Sequence, residues 1–407
     1  MIRNALWLAI AGCLMMSGAA KAQSWPEGPG RQLTEETCGA CHRTSLITNS
    51  SGYDEAGWRH LIGTMIDLSG TDMLNEIAGY LAEHFPPNDR RAPTLVEGEH
   101  SIRFEEWVTP TLGQRTRDPV EAPDGSIWWA GQWADLVGRL DPESGEMEEF
   151  HLPSGAKPHT VTADAEGRIW YTGNGNATMG VLDPTTGSIT EYEMPDPEAR
   201  DPHSAIVDGS GRVWFTLQRS NMIGRLDPAS GEVDLVTLPT ANSRPYGIKL
   251  DSSDTPWVAA NGSNRLFRVE PDSMAIEEHE LPGDGTHVRR LAIAEDDSIW
   301  YVNSGLGRIG HYDPRTREAR EWPSPSGPDS HPYAIALLDG AVWFNESGQR
   351  PDALVRFDPE SESFQSWPIP SGEVHAGIIR HMRPARDGSL LIHQSSTNRL
   401  LRVMPED

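Results

Sequence analysis

Cysteine is scarce in this chain of 407 residues, which contains only three: Cys13, Cys38 and Cys41. With no second cysteine pair beside Cys38 and Cys41, the chain cannot complete a four-cysteine zinc site from its own side chains. Basic residues are also few, since 34 lysines and arginines stand against 60 acids and give a formal net charge of −26. This charge disfavours nucleic acid and anionic lipid as partners, and it favours solubility and cationic partners.

Long apolar runs are absent after the first 22 residues. Within those residues, Arg3 precedes an apolar stretch over 5–16, and Ala20-Lys21-Ala22 is a cleavage site of the A-x-A type. The stretch is too short for a convincing membrane span. We therefore expect a signal peptide over 1–22, no transmembrane segment, and a periplasmic or secreted mature protein. The alternative is a lipoprotein, because Ile10-Ala11-Gly12-Cys13 resembles a lipidation box that would leave an anchor on Cys13.

The other two cysteines lie in Cys38-Gly39-Ala40-Cys41-His42, the C-x-x-C-H pattern of covalent haem attachment. Two thiols at this spacing add across the haem vinyl groups, and the adjacent histidine then lies under the iron as its proximal ligand. A disulfide, a redox dithiol and half of a zinc site are the alternatives. No thioredoxin-like alternation of strands and helices surrounds the motif. The sequence therefore predicts one covalent haem c on Cys38 and Cys41, with His42 as an iron ligand.

The haem motif lies in a segment, residues 25–88, that resembles the small class I cytochrome c domain. A short helix runs into the motif, and a second amphipathic helix begins at Thr71 and Asp72 and ends before Pro86. The resemblance implies a methionine as the second axial ligand shortly before that helix, a place that Met65 occupies. The alternative ligands are Met73, His60 and His84. A histidine–methionine pair raises the haem potential and suits electron transfer.

A repeated unit fills the chain from residue 101 to its end. Each unit carries an apolar-Trp-aromatic strand between an acidic-Gly turn and an Asp-Pro turn. The anchor tryptophans lie 42 to 44 residues apart at positions 128, 170, 214, 257, 300 and 343, with a degenerate seventh copy at Leu390-Leu391-Ile392. Four short strands per unit are typical of a propeller blade. The strand at 104–110 is expected to complete the seventh blade and close the ring, and the tryptophans to form core between blades.

The predicted fold is thus a small all-α cytochrome c domain followed by an all-β seven-bladed β-propeller. We place the haem domain at 23–88 after the signal peptide of residues 1–22. A linker with prolines and glycine follows over 89–100, and the propeller covers 101–407.

The repeats resemble those of the streptogramin lyase (virginiamycin B lyase) propellers. They share the forms Asp-Gly-x-Ile-Trp-Phe-Thr, Ile-Gly-Arg-Leu-Asp-Pro and Glu-Tyr-x-x-Pro, as in Ile223-Gly224-Arg225-Leu226-Asp227-Pro228. The resemblance covers 101–407 and implies an enzyme that opens a cyclic depsipeptide by elimination, with a magnesium ion and a histidine base. It also implies a site built from a His opening the sixth repeat, a Glu-x-His opening the seventh, and a Glu three residues after the seventh anchor.

Only part of that implied site is present in this chain. The seventh repeat opens with Glu373-Val374-His375, so Glu373 and His375 are the candidate catalytic residues. Tyr333 stands where the sixth repeat should offer a histidine, and Gln394 replaces the last acid. An amide cannot neutralise a divalent ion as a carboxylate does, so Gln394 counts against a magnesium site. Magnesium is therefore expected only if the chain is such a lyase. Glu346 is an acid at the same strand position, one blade earlier.

The start of each innermost strand supplies one residue to one end of the central channel. These ring residues lie about eleven positions before each anchor: Arg117, His159, His203, Tyr246, Arg289, Tyr333 and, past an apparent insertion over 380–386, His375. Glu346 and Gln394 are further candidates for lining the channel. Such groups suit a small polar or anionic ligand, or a metal held by histidines. The alternative is that they only solvate a water-filled channel.

Three functions are compatible with these features. The first is an exported redox protein whose haem exchanges electrons with a periplasmic donor or acceptor while the propeller binds a substrate or partner. The second is a metal-dependent, streptogramin-type lyase with the haem domain as an accessory. The third is a non-catalytic scaffold that presents the cytochrome to an oxidase. We favour the first, because a lyase needs no haem; of the enzyme activities, oxidoreductase is favoured over lyase.

Overall fold

The computed structural model describes residues 25–40, 53–86, 91–370 and 379–406. The predicted signal peptide therefore lies outside the described residues, as do Cys41, His42, Glu373 and His375. In the described part of the chain, no helix combines the length and the apolar character needed to cross a membrane.

Three helices form the described N-terminal unit: α1 Arg31–Gly39, α2 Glu55–Gly63 and α3 Asp72–His84. Helix α2 begins at an aspartate cap, since the Asp54 carboxylate accepts a hydrogen bond of 2.8 Å from the backbone N–H of Gly57. Helix α3 begins at the predicted position. The apolar faces of α2 and α3 meet in one core, which is built from Trp25, Tyr53, Trp58, Leu61, Ile62, Ile77, Ala78, Tyr80 and Leu81.

Seven four-stranded antiparallel sheets follow, as the repeats predict. Blades one to three contain β2 Thr116–Glu121, β3 Ile127–Gly131, β4 Leu136–Leu140 and β5 Met147–His151; β6 Pro158–Ala163, β7 Ile169–Gly173, β8 Thr178–Asp183 and β9 Ser188–Glu193; β10 Pro202–Val207, β11 Val213–Leu217, β12 Met222–Asp227 and β13 Glu232–Thr237. Blades four to six contain β14 Pro245–Leu250, β15 Pro256–Ala260, β16 Arg265–Val269 and β17 Ile276–Glu280; β18 Val288–Ile293, β19 Ile299–Asn303, β20 Arg308–Asp313 and β21 Glu318–Pro323; β22 Pro332–Leu338, β23 Ala341–Glu346, β24 Ala353–Asp358 and β25 Ser363–Pro368.

The seventh blade joins the two ends of the propeller. Its strands are β26 Met382–Pro384, β27 Leu390–Gln394, β28 Arg399–Glu406 and β1 Ser101–Val108. Strand β1 pairs with β28 along its whole length, from Ser101 opposite Glu406 to Val108 opposite Arg399. The closing strand expected from the sequence is therefore present and begins three residues earlier than predicted. Closure pairs strand edges that would otherwise be open.

The repeated tryptophans are buried between neighbouring blades. Trp128 of the first blade lies in one apolar cluster with Ile169 and Tyr171 of the second. The indole N–H of Trp170 donates to the Asp164 carboxylate over 2.8 Å, so the acidic turn before the strand also satisfies the buried indole. The tryptophans thus form the inter-blade core that the sequence predicts.

Glycine in the third strand of a blade lets an aromatic ring of the second strand lie against the backbone. Gly180 is paired with Tyr171, and a Cβ at Gly180 would lie 2.0 Å from Tyr171 Cζ. Gly224 has the same relation to Phe215, where the distance is 2.1 Å. This close approach explains why the repeats carry an Ile-Gly-Arg form at this point.

Candidate functional site

A β-bulge lies near the start of the innermost strand in each of the first six blades, next to the channel mouth. In the second blade, Pro158 pairs with Gly173 but Val161 pairs with Tyr171, so one strand advances three residues while its partner advances two. The extra residue bends the strand and changes where its side chains point. The same shift occurs in the first six blades, immediately around the ring residues.

The structure brings several of the predicted ring residues into contact. His159 and His203 have ring centroids 3.7 Å apart, and His203 lies 4.0 Å from Tyr246. The hydroxyl of Tyr246 is hydrogen bonded to the hydroxyl of Tyr333, which crosses from the fourth blade to the sixth. The four side chains are buried and form a continuous arc at one end of the channel.

Guanidinium groups complete the ring. The Arg289 guanidinium carbon lies 4.4 Å from the ring centroid of Tyr333 and 5.4 Å from that of Tyr246, within the range of a cation–π contact. Arg117 is buried and donates from Nη1 to Gln132 over 2.8 Å. The ring therefore offers imidazole, phenol and guanidinium groups together.

Arg380 occupies the seventh ring position, which the sequence analysis assigned to His375. Arg380 lies eleven residues before Leu391, the same spacing that separates Arg117 from Trp128. The pairing of β26 with β27 continues this spacing without an insertion at 380–386. The extra residues of this repeat therefore come before β26 in the chain. The prediction that placed His375 in the ring was wrong by five residues.

A buried carboxylate lies next to the ring, and sequence reasoning missed it. Asp118 accepts a hydrogen bond of 2.6 Å from the Thr160 hydroxyl, and its Oδ2 lies 3.4 Å from His381 Nδ1 and 3.7 Å from Arg290 Nη2. Its Oδ1 lies 3.7 Å from His393 Nε2 and makes no hydrogen bond with the described residues. The alignment could have found this group, because Asp118, Arg290 and His381 each follow a ring residue directly.

Burial and the arginines set the charge of the cluster. Burial alone raises the pKa of Asp118, but His381 and Arg290 bring it well below its usual value. Burial, followed by the nearby arginines, lowers the pKa of His203 well below its usual value. Burial and then Arg117 do the same for the pKa of His159. At neutral pH the site therefore holds neutral imidazoles and one ionised carboxylate.

The two hydroxyls of the tyrosine pair differ in acidity. Burial raises the pKa of Tyr246 to about 12, with Tyr333 adding to the effect. Burial also acts to raise the pKa of Tyr333, but Arg289, Arg380 and Arg117 outweigh it and lower that pKa to about 7. Opposite charges stabilise the phenolate in the second case, so Tyr333 is the group that loses its proton first.

The remaining candidates are hydrogen bonded to the segments that follow the last strand of the preceding blade. Glu346 is fully buried and accepts hydrogen bonds from the Ser324 hydroxyl and from the Ser326 N–H and hydroxyl. Gln394 donates to the carbonyl of Pro370 over 2.6 Å and accepts from Thr397 over 2.9 Å. Across residues 25–40, 53–86, 91–370 and 379–406, no group of three or more His, Cys, Asp or Glu side chains could hold a metal ion.

The helical unit contacts the propeller on the face that carries the ring. The carbonyl of Thr64 accepts a 2.8 Å hydrogen bond from Gly113 N–H and another from the Asn398 amide. The same Asn398 accepts from the backbone N–H of Arg115 over 3.1 Å, two residues before the ring residue Arg117. The segment after α2 thus lies beside the channel mouth.

The helical unit also has partly buried apolar side chains near Cys38. Cys38 and Met65 both pack against the core of the unit, together with the partly buried Leu33, Leu68 and Leu74. Met73 is instead exposed on the first turn of α3. Partly buried apolar side chains beside a cysteine and a methionine suit a flat apolar macrocycle, so the described residues fit the haem that the motif implies.

Comparison with known proteins decides the family of the propeller. A family model described as the virginiamycin B lyase family matches residues 99–357, more than half of the chain. The chain belongs to the virginiamycin B lyase family. The match begins at residue 99, so the helical unit precedes it.

Solved structures of this family share the propeller fold. A structure described as a streptogramin B lyase is 25% identical, covers 75% of this chain and 98% of its own, and superposes with a TM-score of 0.67. Virginiamycin B lyase from Staphylococcus aureus is 22% identical, with 75% and 99% coverage and a TM-score of 0.67. A catalytically inactive variant of the Staphylococcus aureus enzyme with Quinupristin is 23% identical, with 75% and 99% coverage and a TM-score of 0.66. No curated protein matches the chain.

Proposed function

We propose that this virginiamycin B lyase-family protein is an exported c-type cytochrome with an electron-transfer role, whose propeller binds a substrate or redox partner at the channel mouth. One observation carries the proposal. The unit with the C-x-x-C-H motif contacts the propeller on the face where the ring residues converge, through Thr64, Gly113 and Asn398. A ligand on the ring would then lie close to the unit that exchanges electrons.

The haem would be held by Cys38, Cys41, His42 and Met65. Cys38 and Met65 pack against one apolar core, which supports placing them on the same bound group. A haem with histidine and methionine ligands supplies one-electron transfer at a raised potential. The apolar core of the helical unit excludes water from its inner edge, and the protein's own role is to hold and orient the group.

The channel mouth supplies the binding function. Neutral imidazoles, two phenols and several guanidiniums converge there. Polar groups converging in a channel are typical of a ligand site. The chain as a whole is strongly acidic, with a formal net charge of −26, so this group of guanidiniums offers an anion a local cationic site.

Optical spectroscopy of the purified periplasmic protein tests the electron-transfer proposal. We expect oxidised and reduced spectra of a low-spin histidine–methionine haem. Met65→Ala should remove the methionine-dependent features, whereas Met73→Ala should leave them unchanged. Normal spectra in Met65→Ala together with altered spectra in Met73→Ala would show that the ligand assignment is wrong. Haem reduction by a defined metabolite would identify the substrate.

A lyase is the second candidate, and family membership is the observation that favours it. The candidate residues are Glu373 and His375, while Tyr333 and Gln394 depart from the pattern that the resemblance implies. A lyase predicts metal-dependent loss of streptogramin B that His375→Ala abolishes and that His42→Ala does not affect. A stoichiometric complex with an oxidase, without either activity, would favour the scaffold instead.

A further inference from the structure

Guanidinium groups outnumber carboxylates at the channel mouth. Each of the seven blades supplies a ring residue and the residue that follows it. Among these fourteen positions are four arginines and one acid: Arg117, Arg289, Arg290, Arg380 and Asp118. Asp118 lies against Arg290. Among the described residues, neither Arg289 nor Arg380 has a carboxylate within ion-pair distance, so at least two buried or half-buried cations lack an acidic partner there.

Both tyrosine rings lie against the Arg289 side chain, whose Nε also donates to the Ser304 hydroxyl over 3.3 Å. The guanidinium of Arg289 lies over the ring of Tyr333, and the hydroxyls of Tyr333 and Tyr246 meet in a hydrogen bond. Two hydroxyls and the Arg289 guanidinium therefore meet at the mouth, and Arg380 acts electrostatically on the same Tyr333. Arginine binds carboxylates and phosphates through paired N–H donors, and a buried cation without an acid favours such a ligand.

We propose that the channel mouth binds the oxyanion group of a small ligand, a carboxylate or a phosphate, and that Tyr333 takes up a proton when this group binds. The proposal rests on the proposed function, in which the propeller binds a ligand, and it names the chemical class of that ligand. The oxyanion lies between Arg289 and Arg380, with the Tyr246 hydroxyl as a further donor.

Proton uptake follows from the groups that face Tyr333. Arg289 comes from β18 and Tyr246 from β14, while Arg117 comes from β2 and Arg380 from the residues before β26. His331 lies 6.0 Å away, ring to ring. The arginines together lower the pKa of Tyr333 to about 7, so the phenolate serves as their anion above that pH. A bound oxyanion cancels their effect, and the pKa of Tyr333 returns toward its ordinary value.

The affinity for the oxyanion therefore falls as the pH rises. Above pH 7 each binding event takes up one proton, so the affinity falls by about tenfold for each unit of pH. Below pH 7 Tyr333 already holds its proton, and the affinity no longer depends on its ionisation. Tyr333→Phe removes the dependence above pH 7, because phenylalanine cannot ionise.

Calorimetric titration of the full-length protein tests this, with succinate, inorganic phosphate and sulfate as separate probes. Titrations at pH 6 and pH 8, in buffers of different ionisation enthalpy, report the protons taken up. The expected results are saturable binding, uptake of about one proton at pH 8, and no uptake in Tyr333→Phe. Arg289→Gln should weaken binding by about tenfold or more. The matched controls, Tyr301→Phe and Arg308→Gln on the same blade, should change neither quantity.

The probes separate a carboxylate from a phosphate ligand by their relative affinities. Absence of saturable binding for all probes overturns the proposal, and so does binding that Arg289→Gln leaves unchanged. NMR of Cζ-labelled tyrosine measures Tyr333 directly, and a resonance that stays protonated up to pH 9 in anion-free buffer overturns the proton uptake. A normal haem spectrum without anion binding would contradict this inference but not the proposed function. Anion binding without covalent haem would contradict the proposed function but not this inference.

Discussion

The side-chain amide of Asn398 donates a hydrogen bond to the backbone carbonyl of Thr64, 334 residues earlier in the chain. Its oxygen accepts from the backbone N–H of Arg115, and its own carbonyl accepts from Thr109 over 2.9 Å. One buried side chain therefore joins the segment beside Met65 to the strand that begins the ring. This relation places the helical unit at the channel mouth.

Asn398→Ala should loosen the helical unit. The substitution leaves the Arg115 N–H without its partner and removes one of the two hydrogen bonds to the Thr64 carbonyl, which also accepts from Gly113. An unsatisfied buried group costs about 1–3 kcal/mol in the free energy of unfolding. We expect faster proteolysis of the helical unit and a lower urea midpoint. Asn264→Ala is the control, since that amide donates to the carbonyl of Leu281 on the fourth blade, far from α2. Equal protection of the helical unit in both variants would contradict the contact.

Gly113→Ala should destabilise the protein more than Gly125→Ala. Both glycines have positive φ, 67° and 89°, so alanine strains the backbone at each position. A Cβ at Gly113 would also lie 2.6 Å from the Met65 carbonyl, whereas a Cβ at Gly125 meets nothing within 4 Å. We expect an additional loss of about 1–3 kcal/mol at Gly113, measured by urea unfolding. Equal losses would mean that Met65 does not lie against this turn.

Asp118→Asn should be strongly destabilising although it conserves shape. Asparagine tolerates the positive φ of 46° at this position, so the change removes charge without straining the backbone. Among the described residues Arg290 has no other carboxylate within ion-pair distance. Losing one partner of a buried ion pair costs about 3–5 kcal/mol. Urea unfolding at pH 7 measures the loss. Arg308→Gln, an exposed partner of Glu321, should cost less than about 1 kcal/mol.

His203→Gln should reduce the sensitivity of the fold to acid. The folded-state pKa of His203 lies well below its ordinary value, chiefly because the side chain is buried. As the pH falls below about 6.5, the unfolded chain binds a proton that the folded protein does not, so stability is lost. The wild-type protein should therefore lose up to about 1.4 kcal/mol more per pH unit than the variant between pH 6 and pH 5. Parallel stability curves would contradict this assignment.

Local repetition explains which features could be predicted from the sequence. The anchor tryptophans and the Asp-Pro turns define the blades, and the acidic-aromatic pattern before Thr109 identifies the closing strand. The ring residues from Arg117 to Tyr333 follow from their constant distance to the anchors. Each of these features depends on spacing within about one repeat, which is visible in the chain itself.

The seventh repeat and the domain contact could not be predicted in the same way. Extra residues before β26 made His375 look like the ring residue, and only the strand pairing assigns the position to Arg380. The position of Asp118, directly after a ring residue, is visible in the repeat spacing, but its contacts with Arg290 and His381 depend on the bulge, which has no sequence signature of its own. The contact of Thr64 with Asn398 joins distant residues through single hydrogen bonds and leaves no pattern in the sequence.

Covalent haem on the mature protein is the claim on which the proposed function depends. The most direct test is the mass and the absorption spectrum of the purified protein after full denaturation, with Cys38→Ala/Cys41→Ala as the control. We predict one haem per chain that stays attached in denaturant, and a double variant that carries none. A wild-type chain without haem, or with haem that is released on denaturation, would contradict the proposal and leave the lyase-family propeller as the functional part.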